Sequence, residues 1–566
     1  MAFKNTPLSK ADFDERNWQE IIDGCAEKEC LRYDSLFFAK AKEAEAAGDM
    51  KGYEVFSLLG AVSSFMLRSE SHDEPFGPKA VFRDSRSAII EDITGPQLDI
   101  LKDIVPTIKD PEMRARVSDV LWVAKRDFHM AELAVESYLE SAKTWEDPEN
   151  WPNAAERIER ATRIAVSLGP RNKEFAQVFT QIEGVLDRYK GGDPSFFSAK
   201  MMRLLLEFGH GEPRKYVALA EKASLRAESE GNWHKARSYW EIKERWHDRE
   251  KNLEAKRDAQ VKAAETYVKE AESALTRQSP SYMAASTHLE RAIEAHRRIS
   301  NKPRAEELHQ LLLKYQTQSV KELKPVSTKL EMPEKVREAI DEAVSTVKGK
   351  GFHDALFDLA LMLRLPTVES LRKKAEKSAS DHPLQHMVTA FTVDGHGKVV
   401  GRRPSMLSSD PDEVKEALRA EMFLQAGFSE TIDVQWVLQP VMQQIVQEHS
   451  PRLTDFLAVV SNHPLVPDGR EVLYAKGLQA GLRNDLDIAA HFLIPQFEHS
   501  VRYVLAQRGI ITSSIDQEGI QQEYDLNKTL YMPAVKKVFG HNVVFHLQRM
   551  LVERLGGNLR NRMAMG

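Results

Sequence analysis

The chain has 566 residues, 42% hydrophobic and 29% charged, with a net charge of −6. This is a globular composition too long for one core, so about three or four domains are expected. There is no basic surplus of the kind a dedicated duplex-DNA binder carries, so any nucleic-acid contact has to be local. No run of about 18 uninterrupted apolar residues argues for a membrane span.

The opening Met1-Ala2-Phe3-Lys4-Asn5-Thr6-Pro7 turns polar at once and does not read as a signal peptide. Cys25 and Cys30 fall on different helix faces and read as two reduced thiols, as in a cytoplasmic protein. Ala, Glu, Lys, Arg and Leu dominate while Gly and Pro punctuate, so the expected class is mainly α. Residues 1–115 form an N-terminal helical domain, its helices separated by turn signals at Glu74-Pro75-Phe76-Gly77-Pro78 and Thr94-Gly95-Pro96.

From 116 to 323 the pattern becomes one of helical hairpins. Ala131–Ala134 and Tyr138–Ala142 lie on one helix, and Trp151-Pro152-Asn153-Ala154-Ala155 opens its partner. Tyr216–Ala223 is followed by Gly231–Trp240, and Tyr267–Leu275 by Tyr282–Ala292. Small residues at helical spacing allow close packing, and aromatics fill the gaps. The region resembles degenerate tetratricopeptide-type repeats, a solenoid that usually holds a protein partner. Trp233, Trp240 and Trp246 read as packing between repeats, with a base-stacking platform as the alternative. The charge-rich stretch Glu241–Glu272 reads as solvated helix face.

Lys324-Pro325-Val326-Ser327 opens a helical linker domain, 324–464. It contains the one clear strand signal, near 387–401. Met387–Val393 alternates with β-formers, Asp394-Gly395-His396-Gly397 turns, and Lys398–Gly401 returns. Asp394 and His396 are read as turn residues, not metal ligands.

Residues 465–566 form the last helical bundle. A helix over Asp487–Leu505 carries Pro495, and Gly509–Ser514 connects onward. A helix over Val543–Leu555 is broken by Gly556-Gly557, and Asn558 caps a final helix carrying Arg560. No P-loop, dinucleotide fingerprint, His-Glu-x-x-His or Cys-x-x-Cys pair occurs, so neither a cofactor nor a metal is expected.

The terminal run Asn558-Leu559-Arg560-Asn561-Arg562-Met563-Ala564-Met565-Gly566 resembles the Arg-polar…His signature of the HEPN superfamily. Together with Pro495-Gln496-Phe497-Glu498 and Arg502, about 60 residues upstream, it looks like the HEPN-type domain at the C-terminus of a family of large bacterial proteins. The resemblance covers about 100 residues. It implies a metal-independent ribonuclease acting as a toxin or defence effector, with its site completed across a homodimer of the C-terminal domain.

Such cleavage needs a group to take the 2′-hydroxyl proton, one to protonate the leaving oxygen, and a cation facing the phosphorus. By the resemblance Arg560 binds phosphate, Asn561 positions it, and Glu498 holds Arg502 or Arg560 at the cleft. A helix-face ion pair of Glu498 with Arg502 is the plainer reading. Arg502, Arg554 and Arg562 are the further RNA-binding candidates, with Arg549 beside them.

Met565 stands where the motif His is expected, and a thioether cannot transfer a proton. A replaced His, a natural pseudo-nuclease, a coincidental motif and a truncated chain all account for it. His499, His541 and His546 are secondary candidates. Arg483-Asn484 with His491 has the wrong spacing and is set aside. The competing reading is a non-enzymatic helical scaffold that dimerises or binds RNA.

Overall fold

A computed structural model describes residues 6–71, 73–81, 85–147, 149–324 and 334–565, apart from the side chains at 335, 564 and 565. Helix accounts for 70% of the structure and the strands form only small pairs, so the class is mainly α. The chain divides into two compact units, Met1–Leu312 and Leu313–Gly566. The boundary signal Lys324-Pro325-Val326-Ser327 lies, beyond Lys324, outside the described residues, as do positions 1–5 of the N-terminus.

In the first unit successive helices pack as neighbours, several of them joined by one recurring turn. A residue with positive φ ends a helix and an Asn or Asp immediately starts the next. The pairs are Gly48 (φ 76°) with Asp49, Arg126 (52°) with Asp127, Gly231 (69°) with Asn232, Lys251 (58°) with Asn252 and Ser300 (57°) with Asn301. The Asn232 N–H donates back to Ala227 O at 2.8 Å, and the Asn301 N–H to His296 O at 2.8 Å, closing Schellman-type ends. The Asn232 carboxamide then accepts from Lys235 N at 3.1 Å, opening the next helix. A two-residue reversal leaves the next helix little choice but to fold back on its predecessor.

Helices Pro213–Ser229, Trp233–Arg249 and Leu253–Thr276 follow this rule, whereas an extended link leads to Tyr282–Arg298, which Ser281 caps. Trp240 and Trp246 are buried between them. The Trp246 ring stacks on Tyr216 with centroids 5.2 Å apart. Trp233 donates its indole N–H to Ser273 Oγ at 2.9 Å. These are packing roles.

Helices Pro111–Lys125, Phe128–Lys143 and Trp151–Leu168 enclose paired charges. Arg157 grips Glu112 with Nη2 and Nε at 2.8 and 3.1 Å. Arg160 grips Asp119 with Nη2 and Nε at 2.7 and 2.8 Å, and Tyr138 OH donates to the same carboxylate at 3.0 Å. Burial alone would raise the Glu112 carboxyl; the Arg157 charge and its hydrogen bonds hold it below the usual range. Cys25 and Cys30 are free thiols, and burial pushes that of Cys30 well up.

In the second unit the helix Pro411–Ile432 runs through a π turn, Asp433–Leu438, into Gln439–His449. Val441 and Ile445 form one core with Phe456 and Ala475. Val501, Leu505, Leu526, Leu530, Val544 and Leu551 form a second. Leu371, Met422, Phe423 and Phe545 form a third, so the terminal 100 residues share a core with much earlier helices.

The hairpin expected at 387–401 is present as Ala390–Val393 against Val399–Arg403. It starts three residues late because Pro383 opens a short helix, Pro383–Met387, that takes Met387. Asp394 accepts from the His396 and Lys398 N–H groups at 2.8 and 2.9 Å, a turn. Two further short pairs, Met66–Leu67 with Phe76–Gly77 and Ser513–Ile515 with Gln521–Glu523, go beyond the expected strand content. The last pair alternates nothing apolar, which hides it from pattern reading. Among the described residues no helix is long and apolar enough to cross a membrane.

The buried ion pairs make the first unit sensitive to single charge removal. Glu112→Ala strands the buried Arg157 guanidinium and should cost about 3–5 kcal/mol, whereas replacing Glu112 and Arg157 together by Leu and Met should cost far less. Urea unfolding followed by tryptophan fluorescence measures both. A second carboxylate adds a pH dependence. Glu265 is held at a pKa of about 2 by His296 and Arg304 against the opposing effect of burial. A lowered carboxyl stabilises above its unfolded value, about 4.3, and that contribution fades as pH falls toward the folded one. Glu265→Gln should therefore flatten the loss of stability between about pH 4 and 2, read by thermal melts across that window.

Candidate RNA-binding site

The site is built on the helix Leu486–Ala506. Asp485 follows Asn484 (φ 62°), the same reversal as in the first unit, and Pro495 lies inside the helix. One turn on, Glu498 reaches two other segments. Its Oε1 accepts from Arg502 Nη1 at 3.0 Å and from the Leu526 N–H at 3.2 Å. Its Oε2 accepts from Arg560 Nε at 3.2 Å. The two expectations for Glu498, helix-face pairing with Arg502 and anchoring of Arg560, are thus realised by different oxygens of one carboxylate.

Arg560 lies on the terminal helix Leu559–Met565. Its Nη1 donates to Asn561 Oδ1 at 3.1 Å, and Nη2 has no hydrogen-bond partner among the described residues. Asn561 forms a reciprocal amide pair with Asn527, at 3.0 and 3.1 Å, and donates to Asn558 Oδ1 at 2.7 Å. Asn558 has φ 48°, so it turns the chain into the helix in the left-handed region. Asn527 is a member of the cluster that sequence reasoning misses. Nothing local marks it, because its partner is 34 residues away.

Arg502 also donates to Tyr524 O at 3.2 Å. Asp525 is held low by the Lys528 N–H, by Asn527 and by the Arg560 charge. The side chains of Glu498, Arg502 and Arg560 are 15, 22 and 26% exposed, so the cluster is screened but reachable.

The helix expected through Leu555 ends sooner. After His541–Leu547 the backbone winds as a π turn, Gln548–Val552, and leaves helix at Glu553. Gly556 and Gly557 fold back against it. A Cβ on Gly556 would lie 2.0 Å from Arg549 O, so only glycine fits this approach.

Arg554 and Arg562 are exposed and have no ion-pair partner among the described residues. Arg549 instead pairs with Glu430. His546 is buried between Glu430 Oε1 (2.7 Å) and Pro366 O (2.8 Å), a structural role. His541 is exposed. His499 lies beside Glu498, half-buried; desolvation first, then Arg470 and Arg502, lower the pKa of its imidazole. Arg483 bonds Pro451 O at 2.9 Å and His491 bonds Asp487 O at 2.7 Å, and neither joins the cluster. Met565 belongs to the last turn of the terminal helix, and its side chain lies outside the described residues.

A family model described as a domain of unknown function, DUF7380, matches residues 3–177. That match lies wholly in the first unit and does not reach the Glu498–Arg560 cluster. No curated protein and no solved structure matches the chain. At the cluster, a guanidinium fixed at Nε and Nη1 has its remaining edge open to an anion such as phosphate.

Glu498→Ala removes the acceptor of the Leu526 N–H and of two guanidinium groups. We expect a loss of about 1–3 kcal/mol and faster amide exchange at Leu526, while Arg502→Ala should cost about 1 kcal/mol or less. Urea titration with hydrogen exchange distinguishes the two.

Proposed function

We propose that residues 465–566 bind RNA through Arg560, in a HEPN-type unit descended from metal-independent ribonucleases of the toxin or antiviral-defence kind. This chain cleaves RNA poorly or not at all, because Met565 occupies the place of the motif His. The observation that supports the reading is the seating of Arg560. Glu498 and Asn561 fix two of its nitrogens, and Asn527 and Asn558 in turn fix Asn561. A positioned guanidinium with a free edge is what a phosphate contact needs, and exposed Arg554 and Arg562 flank it in sequence. The first unit's helical hairpins supply the partner-binding surface of a cytoplasmic effector, and the resemblance adds a two-fold dimer that brings two copies of Arg560 together.

One observation favours the second reading, a scaffold that dimerises or binds RNA without an enzymatic history. Glu498 and Asp525 offset most of the charge of Arg502 and Arg560. In that reading the cluster only docks the terminal helix.

The test compares the wild type with Met565→His. The wild type should bind single-stranded RNA with affinity falling as salt rises, and leave it intact. Met565→His should cleave RNA in the presence of EDTA, a gain of about 10²–10⁴-fold, since that is what a general acid or base contributes. Adding Arg560→Ala should abolish it. Folded Met565→His protein that binds RNA and leaves it intact would establish the scaffold reading instead.

A further inference from the structure

The reversal at Arg126 and Asp127 does more than join two helices. Arg126, at φ 52°, ends Pro111–Lys125, and the Asp127 carboxylate opens Phe128–Lys143 by accepting from the His129 and Met130 N–H groups at 3.1 and 3.3 Å. The residues on either side of this turn are thereby set about Trp122. The Phe128 ring centre lies 5.4 Å from that of Trp122, tilted by 55°, and the Arg126 guanidinium carbon lies 5.5 Å from the Trp122 ring centre. Phe128 still leaves 64% of its surface exposed.

Both residues line a cavity of about 340 Å³ within the first unit. Trp122, Phe128 and Ile164 give it an apolar side, and Arg126, Arg160 and Arg163 a cationic one. The three arginines are not equivalent. Arg163 is fully taken up, by Ser69 O at 2.9 Å, Glu159 at 3.0 Å and Glu207 at 2.8 Å. Arg160 is only 2% exposed and turns Nε and Nη2 toward Asp119. Its Nη1 reaches only Ser71 O, at 3.4 Å, the outer limit of a hydrogen bond. Arg126 is exposed and has no ion-pair partner among the described residues.

A buried guanidinium with an underused donor and a second guanidinium without a counterion thus share one space with an aromatic pair. That combination suits a flat ring that carries an anionic group, since the rings stack on its face while the arginines meet its charge. We infer that the cavity binds a nucleoside monophosphate, with the base against Phe128 and Trp122 and the phosphate between Arg126 and Arg160 Nη1. Charge selects the monophosphate. Asp119, Glu159 and Glu207 already neutralise Arg160 and Arg163, and Asp73 lines the same space, so one free cation is left to offset the ligand. The volume agrees, being at the small end of the roughly 300–1,000 Å³ of ligand sites. Side chains rather than the backbone amides of a glycine-rich loop meet the phosphate, which is why no sequence motif marks the site. It lies in the first unit and rests on no part of the RNA reading of residues 465–566.

Isothermal titration calorimetry of the full chain with adenosine and guanosine 5′-monophosphate tests it. At least one should bind with a dissociation constant on the order of 10–100 µM. Adenosine and ribose 5-phosphate each lack half of the recognition and should bind about tenfold more weakly or worse, and ATP should bind no more tightly than AMP. Phe128→Ala and Arg126→Gln should each weaken the monophosphate about tenfold, whereas Arg560→Ala should leave it unchanged. Thermal melts confirm that the variants are folded; Arg126→Gln removes no ion pair and keeps the test open if Phe128→Ala does not fold. Folded wild type that binds neither monophosphate, binding indifferent to both pocket variants, or ribose 5-phosphate or ATP binding more tightly than AMP would each overturn the proposal. Binding lost in Arg560→Ala but kept in the pocket variants would overturn it too, by placing the nucleotide at the C-terminal cluster.

Discussion

The Glu498 carboxylate is the constraint on which the C-terminal arrangement depends. It receives Arg502 from its own helix, the Leu526 N–H from the next segment and Arg560 from the terminal helix. A helix of seven residues, Leu559–Met565, has no stability of its own in water, because nucleation is too costly for its length. Its place is therefore set by what its side chains reach. Arg560 supplies the charged anchor, on Glu498, and Asn561 the neutral one, on Asn527. Losing Glu498 would release the helix and the guanidinium together, so stability and any phosphate chemistry share one residue.

The same carboxylate sets the electrostatics of the site. Two guanidinium groups against Glu498 and Asp525 leave little net charge in the cluster itself, which agrees with a chain whose overall balance is −6. An incoming phosphate would not need to displace Glu498, since the carboxylate holds Arg560 at Nε and the open edge is at Nη2. The longer-range attraction would come from exposed Arg554 and Arg562 and from Lys528, whose ammonium sits 3.4 Å from the centre of the Tyr524 ring. Phosphate binding of the proposed kind would be positioned by a neutralised core and drawn in by a solvated rim, and its salt dependence would reflect the rim.

Much of the fold was legible in the sequence because its determinants are local. Small residues at helical spacing, and the aromatics between them, act over a few positions, and the hairpins follow. The reversals are just as local: Gly231-Asn232, Lys251-Asn252 and Ser300-Asn301 each place an asparagine directly after the positive-φ residue that ends a helix. What stayed hidden depends on distance or on compensation. Arg157 and Arg160 are buried because Glu112 and Asp119 lie opposite them on another helix, a pairing over more than 40 residues that no local pattern reports. The core of Leu371, Phe423 and Phe545 joins positions far apart in the chain, which no periodicity reports. At the site, Glu498, Arg560 and Asn561 came from the resemblance. Asn527 and the Leu526 N–H could not, since they complete the cluster only once the chain has folded.

The π turn at Gln548–Val552 explains how the terminal helix reaches Glu498 at all. In an α-helix, residues five apart point about 140° away from each other. Here Gln548 and Glu553 both accept from Arg419 Nη2, at 3.0 and 2.6 Å, which requires them to share a face. The wider winding supplies that: the Glu553 N–H donates to Gln548 O, five residues back, at 2.8 Å. With Glu553 fixed on Arg419, the chain leaves the helix there instead of at Gly556. The Gly557 N–H then closes onto Arg549 O at 2.8 Å, and the two glycines allow the close return that a side chain would block. Asn558 adds the left-handed step that starts the last helix. Had the helix run on in α geometry to Leu555, this return would begin from a different face and a later residue. The reach of Arg560 to Glu498 is thus fixed by Arg419, in a helix more than a hundred residues earlier, which ties the terminal motif to the body of the second unit.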